Sequence, residues 1–510
     1  RKMPYLLDSD MSSEMILSNI LSKKNCIMTD SWYYSTELRV FNTQLIYSLF
    51  FKFTDNWHIV RLLSTAVLHV ILTLSTIYLC RKIGCKNYGP LVACAMLLAL
   101  SKEQFQIILM GCFYIPHIAI SFVTIALCIA FSKSKGKKQI AVIGASALLA
   151  LLTGMGGIRQ IVITYFPLLM CTLILQLVFV VKNNFTTFKN SSGFKYFLIS
   201  IINISFSGVG FFINHFILAK RYNFFQYDNI SFTKMDSDRL CELISDIFHT
   251  LGYMDGKISG LSLISNCICA VIVILVVYSV IHGIRGNVSP EYKLLTVFFI
   301  CNLAVFFLLY AFTNMECTVR YNLPIMIFSF PLIAAGLRET NFEKVPKLIK
   351  PAIGMFCVAI IFIRGFCTMI EMRTRNRIGE LETVAEFLSQ SEYDNGYAVF
   401  WNANVITELT NGKEEMYAWF DSNPDGQNFK NTTSVNDMFR WLQQTEHVSV
   451  PPSGKVFTLY SNDEIEHCNW KSYLRDSDII YQNNTFKIYG YESYDSMVKI
   501  LHQNNIKTCQ

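Results

Sequence analysis

The sequence predicts a polytopic α-helical membrane protein with a soluble α/β domain at its carboxyl end. Three observations support this fold class. Hydrophobic residues fill 52% of the 510 positions and charged residues only 16%, and the mean hydropathy is +0.35. Long apolar runs recur from residue 58 to residue 371, whereas the chain after residue 371 is polar and mixed in pattern. A single aqueous core cannot hold this much apolar surface, but a bilayer accepts it.

The apolar runs predict the membrane part of the chain. A spanning helix needs about 20 apolar residues, or somewhat fewer when it is buried among its neighbours. About ten runs meet this rule, and the second of them is short. They are His58 to Cys80, Gly89 to Ser101, Gln106 to Phe131, Gln139 to Met155, Gln160 to Val181, Tyr196 to Leu218, Leu261 to Ile284, Lys293 to Phe312, Asn322 to Leu337 and Pro351 to Ile370.

Basic residues are concentrated in every second connection, for example at positions 133–138. By the positive-inside rule these connections are cytoplasmic, so residues 1–57 and 372–510 are predicted to be extracytoplasmic. An external amino end predicts a further spanning helix ahead of Arg1. The formal net charge of +7 therefore reports topology, and no basic stripe with interleaved aromatic residues points to a nucleic acid.

The tail after residue 371 is expected to form one small α/β domain. Helical periodicity, strand-like runs and turn signals alternate along it. The predicted elements are a helix at Ile378–Gln390, a strand at Tyr397–Trp401, a helix at Ala403–Thr410 closed by Asn411 and Gly412, a helix from Ser434 to Gln444, a strand at Lys455–Tyr460 and a hairpin about Asn483 and Asn484. The predicted domains are thus 1–57, 58–371 and 372–510.

Carboxylates in the first external segment are the first candidates for catalysis. Asp8 and Asp10 precede a predicted helix from Met11 to Ser22, and Glu14 lies four residues after Asp10 on the same helix face. A carboxylate at the membrane surface suits a general base that meets a lipid-linked substrate. The structural alternative is that Asp10 caps the helix and Glu14 complements its positive end. For Asp8 the sequence indicates no capping role.

Two arginines are predicted on the same outer face. Arg159 ends one span, and Arg320 with Tyr321 begins another. Guanidinium groups bind phosphate well, although arginines at helix ends also extend to lipid headgroups.

The first segment also carries aromatic and charged candidates for an acceptor site. These are Trp32, Tyr33, Tyr34, Glu37 and Arg39. The three aromatic residues suit a platform for a sugar, or anchors in the membrane interface.

The pattern resembles the GT-C superfamily of membrane glycosyltransferases. The resemblance is carried by the acidic loop at Asp8 and Asp10, the many spans, the Arg320-Tyr321-x-x-Pro324 sequence and the external tail. It is similar to the polyprenyl- or dolichyl-phosphate-sugar members, which include protein O-mannosyltransferases and aminoarabinose transferases. The chain has Asp-Ser-Asp where the mannosyltransferases have Asp-Glu. It also lacks the Trp-Trp-Asp motif of the oligosaccharyltransferases.

The resemblance implies an inverting transfer of a sugar from a polyprenyl-phosphate carrier to an extracytoplasmic glycan, lipid or protein hydroxyl. Asp8 or Asp10 corresponds to the family's first-loop acid, and Arg320 and Tyr321 to its late-bundle pair. No organic cofactor is implied, and a divalent metal is left open. We expect a multi-pass protein of a bacterial cell membrane. Three alternatives remain: a polymerase or ligase with a lipid-diphosphate donor, a secondary transporter or lipid flippase, and a receptor or scaffold.

Overall fold

The computed structural model describes residues 4–182, 192–224, 231–256, 260–316, 318–340, 349–419, 438–467, 471 and 473–508. The chain divides into two compact units. Unit 1 comprises Arg1–Ser64, Leu218–Tyr227 and Arg375–Gln510, and unit 2 comprises Thr65–Ile217 and Asp228–Thr374.

Helices make up most of unit 2, and unit 1 combines helices with strands. The α-helices are α1 (Ser9–Lys24), α2 (Gln44–Phe50), α3 (Trp57–Lys82), α4 (Gly89–Leu97), α5 (Ile115–Lys133), α6 (Gly136–Gly154), α7 (Phe166–Lys182), α8 (Ser192–Phe216), α9 (Ser237–Thr250), α10 (Leu261–Arg285), α11 (Pro290–Phe312), α12 (Val319–Met326), α13 (Ser329–Glu339), α14 (Ile349–Arg373), α15 (Leu381–Ser389), α16 (Phe400–Leu409), α17 (Thr445–Ser449), α18 (Asn462–His467) and α19 (Tyr494–Thr508). The strands are β1 (Trp32–Tyr34), β2 (Asn223–Phe224), β3 (Asn395–Val399), β4 (Glu415–Trp419), β5 (Gln443–Gln444), β6 (Val456–Ser461), β7 (Ile479–Gln482) and β8 (Phe486–Tyr491).

The predicted multi-pass class is confirmed. Within the described ranges, nine helical stretches are long and apolar enough to cross a bilayer. They are Trp57–Lys82, Ile115–Lys133, Gly136–Gly154, Ile161–Val181, Ser192–Lys220, Leu261–Arg285, Pro290–Phe312, Val319–Glu339 and Gly354–Arg373. Each corresponds to one of the runs predicted from hydropathy.

The second predicted span, Gly89 to Ser101, is wrong. Helix α4 ends after nine residues, because Ala99 adopts a left-handed conformation with φ 48°, which an α-helix cannot contain. The Gln104 side chain then accepts from the Leu100 N–H at 2.9 Å and donates to the Met96 carbonyl at 2.9 Å. A π-helix at Gln104–Met110 follows. This stretch is therefore a broken helix that is too short to cross the bilayer.

Small residues bring two helices of unit 2 into close contact. A Cβ atom on Gly154 of α6 would lie 2.1 Å from the Ser207 carbonyl oxygen, and one on Gly210 of α8 would lie 2.2 Å from the Leu151 carbonyl oxygen. The Ser146 hydroxyl also donates to the Asn203 amide oxygen at 2.7 Å. Close backbone approach and polar contacts of this kind hold membrane helices together.

A five-stranded mixed sheet forms the centre of unit 1. Its order is β4-β3-β6-β8-β7, with β4, β3 and β6 parallel and β6, β8 and β7 antiparallel. The core beside it is rich in tyrosine and includes the buried side chains of Tyr397, Tyr460 and Tyr489. The sheet and its flanking helices confirm the predicted α/β fold of the tail.

Most predicted elements of the tail are present. Helix α15, strand β3, helix α16, strand β6 and the β7–β8 hairpin appear close to the expected residues, and Asn411 and Gly412 after α16 have positive φ angles. The predicted helix from Ser434 to Gln444 is wrong over the part that the structure describes. Residues 438–444 form a β-bridge and strand β5 instead of a helix. Ser434 itself lies outside the described residues. Strand pairing overrides the local helical pattern at this point.

Unit 1 joins the two ends of the chain. Strand β1 pairs antiparallel with β5 of the tail and parallel with β2. Helix α1 packs against α16 and α2. The first segment and the tail thus belong to one compact unit, and the sequence-based division at residues 57 and 371 stays a prediction.

A buried ion pair fastens α16 to the beginning of α3. Arg61 Nε lies 2.5 Å from Glu408 Oε1, and Arg61 Nη2 lies 2.6 Å from Glu408 Oε2. The same Nη2 donates to the Met11 carbonyl of α1 at 3.0 Å. The two side chains are only 3% and 6% exposed. One guanidinium group therefore connects three helices of unit 1.

Glu414, which lies just before β4, is expected to make the free energy of unfolding depend on pH. Its side chain is fully buried, 3.5 Å from Lys413 Nζ, and burial raises its pKa from 4.5 to about 7. The folded state then binds more protons than the unfolded state between pH 4.5 and about 7. The contribution of Glu414 to stability is therefore fully present below pH 4.5 and is lost as the pH rises through this window, by up to about 1.4 kcal/mol per pH unit.

We expect Glu414→Gln to remove this dependence and to raise the unfolding midpoint most at pH 8, as measured by thermal unfolding of the detergent-solubilised protein from pH 4 to pH 8. Glu492→Gln is the matched control, because the Glu492 side chain is 80% exposed. An unchanged pH profile for Glu414→Gln would contradict the prediction.

Candidate active site

The carboxylate of Asp8 caps the beginning of α1. Oδ1 accepts from the Met11 N–H at 2.8 Å, and Oδ2 accepts from Arg377 Nη1 at 2.8 Å. Asp8 is therefore the N-cap, with extended φ and ψ angles. The alternative that Asp10 caps the helix is wrong, because the capping residue is Asp8, two positions earlier. An aspartate that caps a helix and pairs with an arginine has both oxygens bound.

Asp10 lies in the first turn of α1, where its charge is favoured by the positive end of the helix. Its residue is only partly buried. The neighbouring Ser9 hydroxyl donates to the Phe400 carbonyl, which attaches this turn to α16. Asp10 thus lies on a fixed helix end and keeps some access to solvent.

Glu14 is held in a different environment, one turn further along α1. The Thr43 hydroxyl donates to its Oε2. Burial raises the pKa of Glu14, while Thr43, Arg39 and Arg61 act against this increase. Arg39 lies 3.8 Å from Glu37 Oε2, and its carbonyl accepts from Gln44 at 2.7 Å. These residues form a polar cluster that orders the segment between α1 and α2.

The aromatic residues of the first segment lie in strand β1. The Trp32 side chain is 0% exposed and Tyr34 is 4% exposed. Tyr34 Oη accepts from the Thr29 N–H at 2.9 Å, and its ring lies edge-on to Tyr222. Trp32 and Tyr34 are on one face of β1, which is buried, whereas Tyr33 is on the other face and keeps partial exposure. A sugar platform made of all three rings does not fit this arrangement.

One exposed indole lies beside the Asp8–Asp10 turn, and the sequence-based reasoning missed it. Trp401 follows Phe400, whose carbonyl is bonded to Ser9, and it is 63% exposed. The Phe400 ring packs edge-on against both Trp401 and Phe439. A Trp ring is seldom left in solvent, so its position next to a carboxylate turn is informative.

In unit 2, Arg159 lies just before a π-helix at Ile161–Tyr165. Its guanidinium carbon is 5.6 Å from the centre of the Tyr114 ring. The adjacent Gln160 side chain bonds to His117 Nδ1 at 2.9 Å and to Thr164 at 2.8 Å. π-Helical turns are rare and occur often at functional sites. The local structure therefore gives Arg159 a defined, aromatic-backed position.

Arg320 and Tyr321 occupy the first turn of α12. The Arg320 guanidinium lies 5.1 Å from the Tyr321 ring centre, and the residue is exposed. The Tyr321 ring is parallel to Tyr310 of α11. Arg239 of α9, which the sequence analysis did not select, donates to the carbonyls of Tyr310 at 3.1 Å and Met315 at 2.6 Å. Arg239 thus holds the connection that leads into the Arg320–Tyr321 turn.

Metal ligation has no obvious site in the part of the chain that the structure describes. No group of three or more His, Cys, Asp or Glu side chains there has a spacing that would hold an ion. Glu103 is the acidic residue ahead of the other π-helix, and burial raises its pKa.

Comparison with solved structures shows the fold. ArnT from Cupriavidus metallidurans in the apo state superimposes with a TM-score of 0.56 at 10% identity, over 95% of this chain and 93% of that chain. The chain has the fold of ArnT. Because 95% of this chain is covered, the likeness includes residues of both units.

Two further matches are weaker. ArnT bound to undecaprenyl phosphate gives a TM-score of 0.49 at 11% identity, over 94% of this chain and 93% of that chain. The Archaeoglobus fulgidus oligosaccharyltransferase in complex with zinc and sulfate gives 0.48 at 11% identity, over 88% of this chain and 64% of that chain. No protein-family model and no curated protein matches the sequence. The fold that the sequence predicted is confirmed by the likeness to apo ArnT.

Proposed function

We propose that the protein is an inverting membrane glycosyltransferase. It moves a sugar from a polyprenyl-phosphate carrier to a hydroxyl group of an extracytoplasmic acceptor. The observation that carries the proposal is the ArnT fold over 95% of the chain, combined with an acidic turn at the fixed end of α1. The proposed location is a bacterial cell membrane, with unit 1 on the outer side.

In the proposed mechanism Asp10 is the general base. Asp8 is assigned to the cap of α1, where its two oxygens bind the Met11 N–H and Arg377. Asp10 removes the proton from the acceptor hydroxyl, and the oxygen attacks the anomeric carbon from the side opposite the phosphate. The bond to the phosphate oxygen breaks, and the carrier leaves as a polyprenyl phosphate. One displacement inverts the configuration at the anomeric carbon.

The leaving phosphate needs positive charge. We propose that Arg159 and Arg320 supply it, with Tyr321 supporting Arg320, because guanidinium groups stabilise phosphate oxygens. The stacking of each guanidinium on an aromatic ring supports the proposal, since it favours one orientation of the charge. A leaving group that is already a stable anion requires no separate general acid. We assign the exposed ring of Trp401 to the acceptor side, together with Tyr33.

Label transfer tests this function. The purified full chain is incubated with undecaprenyl-phosphate sugars that carry a radiolabelled sugar, together with a membrane glycolipid fraction as acceptor. We expect the label to leave the lipid and to appear in an acceptor product. Asp10→Asn gives the background. Turnover only with undecaprenyl-diphosphate sugars would instead favour the polymerase or ligase class, and no turnover with any donor would favour a transporter.

A further inference from the structure

A cleft in unit 1 lies apart from the Asp8–Asp10 turn. It has a volume of about 690 Å³ and is bounded by α1, α16 and the edge strand β4, which is within the usual size of a small-molecule site. We propose that this cleft binds a short neutral saccharide, which belongs to the acceptor chain. The assignment of this saccharide to the acceptor rests on the proposed function. The binding of a saccharide in the cleft does not depend on that function.

The position of the cleft suits a ligand that extends from the carboxylate turn. Asn19 lines the cleft from α1 and lies eleven residues after Asp8, which is roughly 16 Å at about 1.5 Å per helical residue. On α16, Asn404 also lines the cleft. It follows the exposed Trp401 by three residues, is itself only 2% exposed, and donates its amide to the Leu442 carbonyl at 3.3 Å. A saccharide of a few units can therefore extend along α1 from Asp10 to the cleft.

The side chains of the cleft offer both donors and acceptors. Asn19, Gln444 and Asn395 contribute amides, Lys23 an ammonium group and Glu415 a carboxylate. Sugar hydroxyls donate and accept at the same atom, so they need both kinds of partner. Apolar side chains complete the lining, which suits the C–H faces of a sugar ring.

A partly buried hydrogen-bond network fixes Glu415 before any ligand binds. Its Oε1 lies 2.5 Å from Gln444 Nε2 and 2.9 Å from His447 Nε2. The His447 ring stacks on Tyr417, with 4.1 Å between ring centres. The hydrogen bond with His447 also lowers the pKa of Glu415, so the carboxylate is ionised at neutral pH. The Glu415 side chain nevertheless stays 46% exposed and can accept from a ligand.

Two other ligand classes fit less well. A phosphate-bearing ligand would meet the carboxylates of Asp394 and Glu415, which offset the ammonium groups of Lys23 and Lys24, and Lys413 is already bonded to the Ser389 carbonyl at 2.8 Å. A peptide would need a free run of backbone groups on β4. The N–H and carbonyl of Ala418 are instead bonded to the Gln443 amide at 3.1 and 3.2 Å. A neutral saccharide is the class that these contacts favour.

Ligand binding to the full chain in detergent tests the proposal without any lipid donor. The probes are maltotriose, mannotriose and tri-N-acetylchitotriose, measured by saturation-transfer NMR and calorimetry. We expect at least one of them to bind saturably. Asn19→Trp, which fills the cleft from a partly exposed position on α1, should weaken that binding at least tenfold. Glu415→Gln keeps the side-chain shape and should weaken it severalfold.

The matched control is Ser477→Trp. Ser477 precedes β7, at the edge of the sheet opposite β4, so the same bulk is added far from the cleft and binding should not change. Equal unfolding midpoints for all variants ensure that folding is not the cause. The proposal is overturned if no trisaccharide binds, if Asn19→Trp binds as well as the wild type, or if only inorganic pyrophosphate or an extended hexapeptide competes for the cleft.

The experiments distinguish a failure of saccharide binding from a failure of sugar transfer. Trisaccharide binding that is lost in Asn19→Trp, in a protein that transfers no sugar, would overturn the proposed function and keep the cleft. Sugar transfer by a protein that binds no trisaccharide would keep the function and overturn the cleft.

Discussion

Asp10→Asn is expected to lower sugar transfer by roughly 10²- to 10⁴-fold, the usual loss when a general base is removed. The amide keeps the size of the carboxylate but cannot take the acceptor proton. Donor binding should change little, because the phosphate contacts are assigned to other residues. Initial rates of label transfer and the donor Kd, measured on the same preparations, give the two quantities.

Asp8→Asn is the matched control for this prediction. Asn is as good an N-cap as Asp, so the bond to the Met11 N–H is retained and only the charge that pairs with Arg377 is lost. We therefore expect Asp8→Asn to keep most of the transfer rate. The reverse result, with Asp8→Asn inactive and Asp10→Asn active, would make Asp8 the base. Full activity in both variants would exclude a catalytic role for either carboxylate.

The second large effect is expected at the Arg61–Glu408 pair. Glu408→Ala leaves the Arg61 charge buried, since both side chains are less than a tenth exposed. Removing one partner of a buried pair typically costs about 3–5 kcal/mol. We expect a loss of this size in the free energy of unfolding, measured by chemical denaturation in detergent. The loss should be smaller in the double variant Arg61→Met with Glu408→Leu, which buries no lone charge.

An exposed pair in the same unit provides the comparison. Lys455 pairs with Glu392, and these side chains are 30% and 69% exposed. Lys455→Ala should cost no more than about 1 kcal/mol, because water screens such pairs. A loss for Glu408→Ala as small as that for Lys455→Ala would show that the buried pair does not hold the three helices together.

The membrane part of the fold was largely predictable from sequence because length and hydropathy are local properties. The exception is the run from Gly89 to Ser101, whose composition is apolar enough. Its helix ends because of the conformation of Ala99 and the two bonds of Gln104. Neither the backbone conformation of Ala99 nor the hydrogen bonds of Gln104 can be detected in an average of hydropathy. In the tail, β3, α15 and the hairpin followed local patterns, whereas β5 depends on pairing with β1.

The candidate site was less predictable, since its contacts join residues far apart in the chain. The sequence suggested Asp10 as the helix cap, and only the bonds of Asp8 to the Met11 N–H and Arg377 identify Asp8 as the capping residue. Arg61 looks like an interfacial arginine until Glu408 is placed beside it. Trp32 looks like an exposed platform in the sequence, whereas its side chain lies on the buried face of β1. Trp401 was assigned to a strand, and its exposure follows from the start of α16 at Phe400.

The assembly of unit 1 from both ends of the chain has a consequence for biosynthesis. Helix α1 buries Met11 and Met15, and its partner α16 ends only at Leu409. At about 5–20 residues per second, roughly 20 to 80 s of translation separate the two helices. During this interval the ribosome has released α1 while most of the spans are still being inserted. The side chains of α1 that become buried in the folded unit therefore wait without their partner, and a chain that stops early leaves them open to chaperones and proteases.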